Sequence, residues 1–200
     1  VTAFSLHEEY APIDILITDN IDVGNGYADY YQNQVVIWAT NLNFQLRGTH
    51  RWLRDVVSHE LAHVFSLKLA KHYPFRYGMF EASVLNSGTA DIGVSFPVYS
   101  LVTPGWWVEG IAQYESWKYG GDWWDTHRDM LLRMAVIEDD LLSYDDMGVF
   151  AHNWLKSEMI YNQGFSMVRY IGERFGEDKP RTLAAETGYV TFNSALKDVI

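Results

Sequence analysis

A repeat of apolar residues in the second quarter of the chain constrains its fold more than any other feature. The repeat follows the roughly 3.6-residue period of an α-helix, and its members are Trp52, Leu53, Val56, Val57, Leu61, Val64, Phe65 and Leu67. Pro74 follows the repeat, and proline is common shortly after a helix ends. The pattern predicts a long helix from Thr49 to about Lys71.

This predicted helix contains the pentad His59-Glu60-Leu61-Ala62-His63. Two histidines four residues apart lie on one face of a helix, so their imidazoles can bind a single metal ion. Glu60 points about 100° round the helix from His59, where it can reach a metal-bound water without binding the metal. Zn²⁺ is the expected ion, because imidazole suits it and an open coordination position holds water. We therefore predict zinc ligands at His59 and His63 and a general base at Glu60.

The composition of the chain limits which residues can bind a metal and which classes of partner are expected. The 200 residues are 48% hydrophobic, which suits one domain or two tightly packed lobes. The chain has no cysteine, so a metal must be bound by His, Asp or Glu. The net charge of −11 argues against a nucleic-acid partner. No apolar run approaches the ~20 residues of a transmembrane segment. Because the chain begins at Val1 rather than Met, we expect a piece of a longer protein.

The other segments predict a small sheet followed by helices, which is an α+β arrangement. Strands are expected at 12–18 and 34–39, with 27–31 as a hairpin extension or an edge strand. Residues 74–105 are expected to form an irregular insertion with a short hairpin near 92–101. Further helices are expected at 106–119, 123–137, 158–175 and 193–200, with one helical turn at 184–186. We predict one domain over 1–200, in which a sheet and the metal helix (1–73) precede the insertion and a helical lobe (106–200).

Two histidines leave one protein ligand to be found, and Glu109 is the best candidate. It lies in the segment Trp106-Trp107-Val108-Glu109-Gly110-Ile111-Ala112. Glu81 and Asp91 are rivals within the expected irregular segment. Glu115 is a third rival, and on a helix it would face away from Glu109.

The pentad and this segment together resemble the gluzincins, zinc peptidases of the thermolysin and alanyl-aminopeptidase kind. These enzymes pair H-E-x-x-H with a glutamate on a later helix, which opens with W-x-x-E-G-x-A in the aminopeptidase branch. Trp106, Glu109, Gly110 and Ala112 match that pattern. The resemblance implies a thermolysin-like zincin fold, with Zn²⁺ bound by His59, His63 and Glu109. We expect the small residues Gly110 and Ala112 to let this helix approach the metal helix closely.

Tyr161 carries a second point of resemblance. Aminopeptidases place a tyrosine in a Y-x-K-G pattern, where it donates a hydrogen bond to the oxyanion of the reaction. Tyr161 and Gly164 match this pattern, and Gln163 replaces the lysine. The resemblance implies a catalytic role for Tyr161. The alternative is a tyrosine that only packs within its helix.

The chain also departs from the family. The gap between His63 and Glu109 is long, and no glutamate-bearing G-A-M-E-N segment precedes the pentad, so an aminopeptidase is not supported. A strand near 24–28 could instead bind a peptide or protein substrate by β-augmentation. The chain further resembles peptidase-like domains fused to bacterial β-propellers, which implies such a partner domain. An extracytoplasmic location, periplasmic or secreted, is favoured.

Three functions remain open from the sequence. The first is a zinc metallopeptidase in which Glu60 activates water. The second is a peptidase-like module that binds the metal but serves protein binding or assembly. The third is a structural domain without metal. Asp55, Gln113 and Tyr114 are candidates for orienting the metal-bound histidines through their other ring nitrogen.

Overall fold

The computed structural model describes residues 12–30, 32–48, 50–69, 80–84, 92–96, 103–124, 126–148, 153–187 and 191–200. It contains a small three-stranded sheet and is otherwise mainly helical, which confirms the predicted α+β class. Among the described helices, none is long and apolar enough to cross a membrane.

The sheet comes first in the chain. Its strands are β1 (Asp14–Thr18), β2 (Gly26–Asp29) and β3 (Gln34–Trp38). β3 is central and pairs in parallel with β1 and antiparallel with β2. The strands predicted at 12–18 and 34–39 are confirmed, and the segment predicted at 27–31 is the edge strand β2.

A second pair of strands lies in the segment that was predicted to be an irregular insertion. β4 (Phe80–Val84) pairs antiparallel with β5 (Ile92–Phe96). The hairpin predicted near 92–101 was therefore placed too late, and β4 was missed. Apolar and polar residues alternate in both strands, a period-2 signal that the surrounding glycines and prolines masked. Residues 70–79, 85–91 and 97–102 lie outside the described residues.

The helices follow the predicted order with changes at their ends. They are α1 (Phe44–Arg47), α2 (Trp52–Leu69), α3 (Gly105–Lys118), α4 (Thr126–Ile137), α5 (Trp154–Phe175), α6 (Lys179–Glu186) and α7 (Phe192–Val199). A 3₁₀ turn spans Asp146–Gly148. The predicted metal helix starts at Trp52 rather than at Thr49, which itself lies outside the described residues.

Capping explains the early start of α5. α5 begins four residues before the predicted position, because Oδ1 of Asn153 accepts a hydrogen bond from the Lys156 backbone N–H at 3.1 Å. α6 is longer than the single turn expected, and Pro180 lies in its first turn, where the missing N–H of proline is tolerated. α4 starts three residues later than predicted.

The described residues form two apolar cores, and α2 contributes side chains to one of them. One core joins α2 to the sheet and contains Val35, Ile37, Trp52, Val56 and Val64. The larger core joins α3, α5, α6 and α7, and its largest members include Trp106, Phe165 and Leu183. α2 contacts β2 and β3 on one side and α3 on the other. The metal helix is thus held between the sheet and the helical part.

α3 and α5 cross at a pair of glycines. A Cβ on Gly110 would lie 2.5 Å from the carbonyl carbon and oxygen of Gly164, which is closer than any real Cβ contact. The expectation that Gly110 lets α3 approach the metal helix α2 is therefore wrong. Its missing side chain is needed against α5, and Gly164 of the tyrosine segment is the other half of the contact.

Replacing Gly110 with alanine should destabilise the protein by about 3 kcal/mol, because the added methyl group meets backbone that cannot rotate away. Urea denaturation of wild type and Gly110→Ala measures this loss. Gly148→Ala is the control, since no described atom lies within 4 Å of the Cβ it would add. Equal stability of both variants would show that the two helices can separate at little cost.

Candidate metal centre

Three side chains from two helices meet at one point. α2 carries His59 and His63 one turn apart, and α3 carries Glu109 opposite them. Oε2 of Glu109 lies 3.0 Å from Nε2 of His59 and 3.1 Å from Nε2 of His63, and the two Nε2 atoms are 3.0 Å apart. Both histidines are buried, and the Glu109 side chain is 14% exposed. These three residues could together hold a metal ion, and we refer to them as the metal group.

Hydrogen bonds alone do not explain this convergence. If both Nε2 atoms carry hydrogen, both donate to Glu109, but the two N–H groups then face each other at 3.0 Å. If one of them lacks hydrogen, its lone pair faces the carboxylate oxygen of Glu109. A cation removes both conflicts, because all three atoms can then act as ligands. Zn²⁺ bonds of about 2.0–2.1 Å in a tetrahedron would separate ligand atoms by roughly 3.3 Å, close to the observed spacing.

His63 and Glu109 shift each other's pKa toward the charged forms. Burial by itself lowers the pKa of His63, but the Glu109 carboxylate raises it to about 9. Burial likewise raises the pKa of Glu109, but His63 and His59 hold it well below its usual range. Without a metal ion, His63 therefore carries a proton at neutral pH. A metal must displace that proton, so acidification weakens metal binding.

The side chain of Glu60, on α2, lies beside this group and next to the first residue of the edge strand β2. A Cβ on Gly26 would lie 3.0 Å from Oε1 of Glu60, so the strand backbone passes close over the carboxylate. Burial raises the pKa of Glu60, and His63 and His59 oppose that rise. The carboxylate is thus next to the metal group but is not among the three converging ligand atoms.

Tyr161 reaches the same place from α5. Its ring centroid lies 5.8 Å from that of His59. Burial raises the pKa of Tyr161 well above its usual value, and the Glu109 carboxylate adds to the rise. The phenol therefore keeps its proton at neutral pH and can serve as a hydrogen-bond donor.

A cleft adjoins the metal group, and two charged residues in its wall were missed from the sequence. The cleft is lined by residues that include Gly26, Arg47, His59, Glu60, Glu158 and Tyr161. Glu158 lies three residues before Tyr161 on α5, so helical spacing could have placed both on one face. Arg47 ends the four-residue helix α1, and no periodic signal in so short a helix pointed to it.

The other predicted site residues lie elsewhere. Glu115 is buried with its Oε1 3.6 Å from Nε of Arg181 on α6, and it does not join the metal group. Asp91 and the side chain of Glu81 lie outside the described residues.

Asp55, Gln113 and Tyr114 do not form the predicted hydrogen bonds to the metal-group histidines. Nδ1 of His59 and Nδ1 of His63 are buried and have no hydrogen-bond partner among the described residues. Of the three candidates for that role, Gln113 is buried with neither amide atom hydrogen-bonded to a described residue. Asp55 is buried one helical turn before His59, where burial and the charge of Asp122 raise its pKa to about 6. Tyr114 packs against Gly172 of α5.

Comparisons of the chain with protein-family models, with curated proteins and with solved structures gave no match.

We expect the wild-type protein to bind about one zinc ion per chain, and both His63→Ala and Glu109→Gln to lose it, because each removes one of three protein ligands. Metal analysis after zinc loading and dialysis measures the content. Glu115→Gln is the matched control, a buried glutamate on the same helix outside the metal group. Zinc retained by Glu109→Gln and lost by Glu115→Gln would contradict the ligand set.

Proposed function

We propose that this chain is a zinc metallopeptidase with a thermolysin-like zincin fold that hydrolyses peptide bonds. The observation that carries the proposal is the convergence of His59, His63 and Glu109 within 3.1 Å, with Glu60 beside them in a cleft. A zinc ion held there would supply Lewis-acid chemistry, since zinc acidifies water and polarises a carbonyl group.

Glu60 is the general base in this proposal. It takes a proton from the attacking water and passes it to the leaving amine. Glu60 directly follows His59 on α2, so its side chain points about 100° away from the helix face that carries the two histidines. From there it can reach the reacting water without binding the metal itself.

Tyr161 stabilises the charge that develops during the reaction. When water adds to a peptide carbonyl, negative charge appears on the substrate oxygen. A protonated phenol next to His59 can donate a hydrogen bond to that oxygen.

The edge strand supports a peptide as the substrate. Within the described part of the chain, β2 pairs only with β3, so its second edge can pair with an extended peptide. Gly26 lies at the start of β2 over Glu60, and both residues line the cleft. A peptide added alongside β2 would therefore pass over the general base.

The peptidase proposal predicts that Glu60→Gln lowers the turnover of unstructured peptides by about 10²- to 10⁴-fold while zinc stays bound, because the base is lost and the ligands remain. A library of short peptides analysed by mass spectrometry gives the rate, and metal analysis gives the zinc content. Zinc-loaded wild type without any cleavage would instead favour the metal-binding module. Equal cleavage by wild type and Glu60→Gln would point to a contaminating protease.

Tyr161→Phe should lower kcat by about 100-fold and leave KM nearly unchanged, because the phenol acts on charge that appears only in the transition state. Tyr170→Phe is the matched control, an exposed tyrosine on the same helix. If Tyr161→Phe is as active as Tyr170→Phe, then Tyr161 only packs against His59.

A further inference from the structure

The cleft contains an ion pair to which the proposed function gives no role. Nε of Arg47 donates to Oε1 of Glu158 at 2.9 Å, and the two side chains are only 11% and 8% exposed. The pair joins the end of α1 to the beginning of α5. Burying two charges is a costly way to join two helices, since apolar side chains often do so with equal or greater stability. The pair therefore calls for a role other than stability.

The guanidinium group of Arg47 has donors left for a ligand. Among the described residues only Glu158 accepts a hydrogen bond from it, and that bond uses Nε. Neither Nη group is hydrogen-bonded to a described residue, and Arg47 lines the cleft. Two Nη groups side by side match the two oxygens of a carboxylate.

The position of Arg47 relates it to the metal group. Its guanidinium carbon lies 5.3 Å from the ring centroid of Tyr161, and the His59 ring lies 5.8 Å from the same centroid. Arg47 and His59 thus lie beside the same aromatic ring, and the distance between them is at most the sum of these two distances. Two or three residues of an extended peptide, at roughly 3.3 Å each, cover such a span.

We propose that Arg47 binds a carboxylate of the substrate and so selects peptides that carry one within about three residues of the bond to be cleaved. Either the C-terminal carboxylate or an Asp or Glu side chain has the required chemistry. Glu158 holds Nε and turns the Nη groups toward the ligand. In the described wall of the cleft Arg47 is the one Lys or Arg side chain, and it lies there with the carboxylates of Glu60 and Glu158. Its Nη groups are therefore the donors in that wall that can form a charge-assisted pair with an anion.

This inference rests on the proposed peptidase function, and a binding experiment keeps the two apart. Zinc-loaded Glu60→Gln is titrated in a calorimeter with a set of short peptides. One peptide ends in a free carboxylate with neutral side chains, and its partner ends in an amide. A second pair, both amidated, differs by Glu against Gln. The two pairs distinguish a C-terminal carboxylate from a side-chain carboxylate.

We expect one carboxylate peptide to bind about 10- to 100-fold more tightly than its neutral partner, as a charge-assisted hydrogen bond provides. Arg47→Met, added to Glu60→Gln, should abolish the advantage, and Arg47→Lys should keep only part of it. Since Arg47→Met leaves Glu158 unpaired, Arg47→Met/Glu158→Gln is measured as well, with thermal denaturation as the check on folding. Arg51→Met, which removes an exposed arginine just before α2, should keep the full advantage.

Several outcomes would overturn the proposal. Equal binding of the carboxylate peptide and its neutral partner would contradict it. If the Arg47 variants then bound both peptides more weakly, Arg47 would contact a backbone carbonyl group of the peptide instead. An advantage that survives in Arg47→Met/Glu158→Gln would place the anion site elsewhere. If wild type cleaves both members of each pair at equal rates, the carboxylate preference fails while the peptidase function stands. If no peptide is bound or cleaved, both fail.

Discussion

The crossing of α3 over α5 at Gly110 and Gly164 determines where the groups contributed by the helical part can lie. Glu109 directly precedes one glycine, and Tyr161 precedes the other by three residues. Because backbone meets backbone at this crossing, neither helix can shift without a clash. The distance between a ligand of the metal group and the tyrosine of the cleft is thus fixed by main-chain contact. Gly110 and Gly164 therefore contribute to these two segments by packing.

The metal group lies in a polar layer between two apolar cores. α2 buries Asp55, His59, Glu60, His63 and Ser66, and α3 buries Gln113, Glu115 and Ser116. The sheet core lies on one side of this layer and the helical core on the other. A buried polar layer reduces apolar packing between the sheet and the helical part. Charges within the layer interact strongly with one another, because the surrounding protein has a low effective dielectric constant. The apolar core is therefore divided in two at the same place where the charged residues of α2 and α3 meet.

Sequence patterns predicted the helices and strands that can be identified from neighbouring residues alone. The periodicity of α2 and the apolar runs of β1 and β3 need only neighbouring residues, and the meeting of His59 with His63 follows from one helical turn. Glu109 was found by resemblance, because its approach to α2 depends on tertiary packing. The contact of Gly110 was assigned to the wrong helix for the same reason, since a missing side chain does not say which neighbour needs the space. Arg47 and Glu158 are 111 residues apart in the chain, and a pair so distant leaves no local pattern.

Several buried polar atoms without a hydrogen-bond partner among the described residues lie in this layer. Nδ1 of both metal-group histidines and both amide atoms of Gln113 are buried without a described hydrogen-bond partner. A buried polar atom that lacks a partner costs about 1–3 kcal/mol relative to a satisfied one. Apolar side chains at these positions would join α2 to α3 at lower cost. A ligand that draws the histidine Nε2 atoms together gives those residues a reason to be polar, whereas packing between the two helices gives none.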